Sequence, residues 1–95
     1  MEKRNKCDIM ADILKRARMG SRKTRIMYRC NMSHKQLEIY LKFLIDMGFL
    51  QNGDDFYSTT LKGVKFIKAY NDMRETLPSE ETKQKVESMT YYLTN

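Results

Sequence analysis

The string Lys23-Thr24-Arg25-Ile26-Met27-Tyr28, followed by Asn31-Met32-Ser33 and a long amphipathic stretch, constrains this chain more than any other feature. Ser33 can accept a hydrogen bond from the free backbone amides at a helix start, and Gln36 three residues on completes a capping box. Met32 and Leu37 flank that cap at the two positions of a hydrophobic staple. At the far end Gly48 suits the left-handed position past a helix, and Phe49 can fold back on Leu44. These signals predict a helix over residues 34–47. A shorter one over 23–30 precedes it, with Ile26, Met27 and Cys30 facing inward, Tyr28 at a half-buried helix-helix contact and Asn31 taking the corner. Two helices joined so tightly form a helix-turn-helix.

Apolar periodicity organises the remainder. Ile9, Met10, Ile13, Leu14 and Ala17 draw one stripe on a helix over 6–18 that stops near Gly20. In the 34–47 helix the expected core face is Leu37, Tyr40, Leu41, Leu44 and Ile45, which leaves His34, Lys35, Glu38, Lys42 and Asp46 outward. Past Gly48 the period changes. Phe49-Leu50-Gln51 and Phe56-Tyr57-Ser58-Thr59 are strand candidates on either side of the turn Asn52-Gly53-Asp54-Asp55. Thr60 then caps a helix over 61–77 that closes before Pro78, and Ser79 with Glu80 and Glu81 opens a last short helix over 79–93. The expected fold is mainly α with a small β-hairpin, a winged helix-turn-helix of three helices, a two-stranded wing and a C-terminal helix. Residues 1–60 would form its core and 61–95 its dimerisation segment.

Charge is concentrated at one end. Residues 1–29 carry ten Lys or Arg against three acids, so this block of net +7 exceeds the +6 of the whole chain. Beside a helix-turn-helix, such a block fits a polyanion, because each cation near a phosphate releases condensed counterions. The competing reading is a solvated surface or, for Arg25 and Arg29, ion pairs with Asp8 or Asp12. Cys7 and Cys30 lack the spacing and histidine partners of a zinc site, so buried free thiols are expected, with a disulfide as the alternative. Signal-peptide and transmembrane patterns are not expected, nor is a cofactor or small-molecule substrate. The sole histidine, His34, has no acidic or cysteine partner near it that would orient it as a base, and the four glycines are isolated, so an enzyme is not expected.

The strings Lys23 to Tyr28 and Asn31-Met32-Ser33, the segment Tyr40-Leu41-Lys42 and the join Thr59-Thr60-Leu61-Lys62-Gly63 resemble the small archaeal winged-helix DNA-binding proteins, some of them chromatin proteins. The resemblance spans residues 6–77 and implies double-stranded DNA binding by a homodimer whose last long helix pairs in an antiparallel coiled coil. His34, Lys35, Glu38 and Lys42 are then the expected base contacts, and Arg22, Lys23, Arg25 and Arg29 the phosphate contacts. Phe66, Tyr70, Met73 and Leu77 keep the 4-3-4 spacing of a helix seam, whose alternative is packing against its own domain. The acidic tip Asp54-Asp55 implies a wing that does not grip phosphates. The function these readings favour is that of a transcriptional regulator or chromatin organiser in the cytoplasm, associated with the nucleoid. A protein-docking winged helix is the alternative.

Overall fold

Helix caps set most of the boundaries in the computed structural model, which describes residues 4–76. Asn5 and Asp8 form a reciprocal capping box that starts α1 (Lys6–Arg16). The Ser33 hydroxyl accepts the Gln36 amide at 3.1 Å to start α3 (His34–Asp46), and Met32 and Leu37 are both buried beside it. Thr60 Oγ1 accepts the Gly63 amide and starts α4 (Leu61–Thr76). Helices α2 (Lys23–Arg29) and α3 end alike. Asn31 at φ +54 and Gly48 at φ +79 turn left-handed, and the amides of Met32 and Phe49 reach back to the carbonyls of Met27 and Leu44.

The sheet has three strands rather than the expected two. Strand β1 (Ser21–Arg22) lies outside β3 (Phe56–Thr59), which pairs on its other edge with β2 (Leu50–Gly53), all antiparallel. Ser21 stands opposite Tyr57 and Arg22 opposite Phe56. The wing closes at Asp54-Asp55, where Asp55 takes φ +62, a conformation Asp tolerates better than most residues. Strand β3 is also tied to the end of α1. The Thr59 amide donates to the Ala17 carbonyl at 3.1 Å and its hydroxyl to the Leu14 carbonyl at 2.6 Å.

The core gathers Ile13, Leu14 and Ala17 of the first helical stretch with Ile26, Leu37, Leu41, Leu44, Leu50 and Ile67. Three expectations about burial need correction. Ile45 is 36% exposed, because Leu37, Tyr40, Leu41 and Leu44 already cover the inward arc of α3. Tyr28, read from sequence as a half-buried helix contact, is 87% exposed on the outer side of α2. Cys7 is exposed, and only Cys30 is buried. Burial, with Asp12 nearby, pushes the Cys30 thiol up to about 11, so at neutral pH it is protonated and unreactive.

Helix α4 lies against α1 and the sheet. Tyr70 is buried, its hydroxyl donating to Asp8 of the α1 capping box, with the Lys15 ammonium 5.5 Å from its ring centroid. Burial first, then the Asp8 carboxylate, raises the Tyr70 pKa. Lys62 donates to the Met47 carbonyl at 2.9 Å, so α4 also supplies the cation that closes the C-terminus of α3. Pro78 and the helix expected over 79–93 lie outside the described residues.

Candidate functional site

The outer face of α3 follows from its buried face. With Leu37, Leu41 and Leu44 inward, a 3.6-residue period turns Lys35, Ile39, Lys42 and Asp46 to the opposite side, and all four are exposed. His34 and Glu38 occupy one flank of this arc. Lys35 and Lys42 enter no ion pair among the described residues, so their ammonium groups are available to a ligand.

Glu38 is engaged differently from the sequence reading. Its Oε1 forms an ion pair with Lys23 Nζ of α2 and lies 3.7 Å from His34 Nε2. One expected phosphate contact and one expected base contact therefore pair with each other. The pair fixes the start of α2 against the first turn of α3.

A second cationic surface lies where α1 ends and α2 begins. Lys15, Arg16, Arg22, Arg25 and Arg29, with Ser21, Thr24 and Phe56, line a groove of about 470 Å3 that no carboxylate enters. The Arg22 guanidinium rests over the Phe56 ring at 5.7 Å, which fixes the direction of a long side chain. Asp12 lies 3.0 Å from Arg4 and 3.3 Å from Arg16, so it does not neutralise Arg25 or Arg29. Three of the four expected phosphate contacts thus share this groove, and Lys23 does not line it.

Sequence reasoning missed Lys15, Arg16 and Phe56 as members of this surface. The paired basic residues at the end of the first helix were the available signal, but it is the packing of α1 on α2 that brings them beside the arginines, and the pairing of β1 with β3 that adds Phe56. Ile39 was missed as well. An isoleucine outside the apolar stripe of an amphipathic helix was its signal, and it is 64% exposed.

The wing tip and the expected dimer stripe are placed plainly. Asp54 and Asp55 are exposed at the turn. Of the stripe, Tyr70 is buried in its own domain and Phe66 packs on Phe49 with ring centroids 5.1 Å apart. Met73 is 50% exposed, and Leu77 lies outside the described residues. Phe66 and Tyr70 therefore serve the contact of α4 with its own domain, the alternative weighed for this stripe. Among the described residues no cluster of His, Cys, Asp and Glu could hold a metal, and no helix is long and apolar enough to cross a membrane.

Comparison with known proteins agrees with this geometry. The profile of a family described as winged helix-turn-helix matches residues 3–78. The uncharacterized protein MJ0287 of Methanocaldococcus jannaschii is 29% identical over 79 residues, covering 82% of this chain and 81% of that protein. The uncharacterized protein MJ0290 of the same organism is 37% identical over 72 residues, 75% of this chain but only 34% of its own length. Among solved structures, Sso10a-2, a DNA-binding protein from Sulfolobus solfataricus, superposes with a TM-score of 0.66 at 29% identity, covering 90% of this chain and 96% of that one.

Proposed function

The chain belongs to the winged helix-turn-helix family, and from that premise we propose that it binds double-stranded DNA, with α3 in the major groove and the groove between α1 and α2 on the phosphates. The observation that carries this reading is the groove itself. Of its five cationic side chains only Arg16 is paired with a carboxylate among the described residues, that of Asp12, and a bound polyanion would relieve the repulsion among the others. Lys35 and Lys42 extend the positive surface onto α3, and His34 flanks them. Glu38 contributes by holding Lys23, and it can still accept from a base at its other oxygen. The similarity to a DNA-binding protein supports the same reading.

Titration of a random-sequence duplex at low and moderate salt is the direct test. Binding at low salt that weakens steeply as salt rises is expected. Absence of binding at low salt refutes the proposal and leaves the docking module in its place.

The wing supplies a second expectation. Replacing Asp54 and Asp55 with Asn removes two exposed carboxylates, and Asn keeps the left-handed conformation that position 55 requires. Affinity at low salt should rise severalfold. A folded double variant that binds more weakly would show that the carboxylates make favourable contacts.

The role is that of a small transcriptional regulator or chromatin organiser, non-enzymatic and nucleoid-associated, acting as a homodimer through the segment 61–95. Met73 is the exposed apolar residue of the α4 stripe on which this pairing rests. Sedimentation at concentrations on the order of tens of micromolar should show a dimer in the parent and a weaker one in Met73→Glu. A monomeric parent would overturn the dimer. Tyr70 is unsuitable for this test, because a charge there would disrupt the contact between α4 and α1.

A further inference from the structure

Resting on the DNA-binding reading above, we infer that Ile39 is a specificity residue that contacts the C5-methyl group of thymine in the major groove. Ile39 lies in the N-terminal half of α3, opposite Leu37, Leu41 and Leu44, and is 64% exposed. The helix itself gains nothing from it. A β-branched side chain loses rotamer freedom on a helix, and here its apolar surface stays in water instead of packing. Lys or Glu at the same place would favour the helix more.

Its neighbours identify the occupant. Lys35 stands one turn before and Lys42 nearly one turn after on the same arc, neither in an ion pair among the described residues. An apolar protein groove closing over Ile39 would have to desolvate both ammonium groups, whereas duplex DNA offers each a phosphate or a base acceptor. Within the major groove of unmodified DNA the apolar projection of a base edge is the thymine methyl. Phe43, one turn further and 47% exposed, continues the apolar edge. Asp46 follows on the same arc and limits close approach to the N-terminal half of the helix. The first half of a recognition helix is where base contacts are made.

An alternating adenine-thymine duplex and the same duplex with uracil for every thymine differ by that methyl while keeping every hydrogen-bonding group. The parent should bind the uracil duplex about threefold more weakly, the magnitude expected for one apolar methyl contact. Ile39→Ala should bind both duplexes alike and retain the parent's salt dependence, and its exposure means that the fold does not depend on the side chain. Equal binding of both duplexes by the parent overturns the methyl contact. A loss on uracil that persists in Ile39→Ala assigns the effect to DNA shape and overturns the role of Ile39. Failure to bind either duplex at low salt instead refutes DNA binding itself.

Discussion

Gly63→Ala is expected to lower stability by about 2 kcal/mol, because overpacking of about 3 kcal/mol exceeds the gain of about 1 kcal/mol that Ala brings to a helix. A Cβ at this position would lie 2.6 Å from Thr59 Cγ2 and closer still to the Phe49 carbonyl oxygen. The second neighbour is backbone at the start of the wing, and it also accepts the Thr60 amide at 3.0 Å, so it cannot swing aside as a flexible side chain would. The conflict falls where α4 crosses the two ends of the hairpin, and it should push α4 off the sheet. Thermal unfolding followed by circular dichroism should register a fall of about 10 °C, given about 4–8 °C per kcal/mol in a domain of this size. An unchanged midpoint would mean that α4 docks more loosely than its contacts imply.

Replacing Arg25 and Arg29 together with Ala should weaken duplex binding about fiftyfold at ~0.1 M salt and reduce the salt slope by about two, since each phosphate contact contributes a slope of about 0.9. Both side chains are exposed and line the groove, so their removal leaves the core intact. The informative control is Lys65→Ala with Lys68→Ala, an equal charge change at exposed positions on α4. Fluorescence anisotropy at three salt concentrations separates the two. If both double variants lose affinity equally, the effect is one of net charge and the groove is not a phosphate site.

What was legible in the sequence was whatever is decided within a few residues. Ser33, Asn31 and Gly48 act on backbone groups of their own helix ends, so the corner and both ends of α3 could be read from residue type alone. The hairpin was legible for the same reason, since its turn residues lie next to one another. Strand β1 was not, because its two residues form a strand only by pairing with Tyr57 and Phe56 more than thirty positions later. The basic groove was half legible. Arg22, Arg25 and Arg29 are legible from their place beside the helix-turn-helix, but Phe56 joins them only through that same distant pairing, and Lys15 and Arg16 through the packing of α1 on α2. The α4 stripe was ambiguous because its spacing suits a partner helix and a domain face equally. The Asp8 carboxylate, 62 residues from Tyr70, decides it for Tyr70. Ile45 was misassigned because it borders the apolar arc, where the area left by Leu41 and Leu44 rather than hydropathy determines burial.

The two bonds from Thr59 to the end of α1 bear on how the wing can move. The Ala17 carbonyl already accepts the Gly20 amide at 3.0 Å, and it takes the Thr59 amide as well, while Leu14 takes the hydroxyl. Swinging β3 away would therefore strip these donors from the carbonyls of the helix terminus in the same step. The hinge freedom of a detached arm is closed to this hairpin, and its tip travels with α1 as one lever. Local opening would involve the last turn of α1 and the base of the hairpin as a single cooperative unit, whose amide protons would exchange with solvent together.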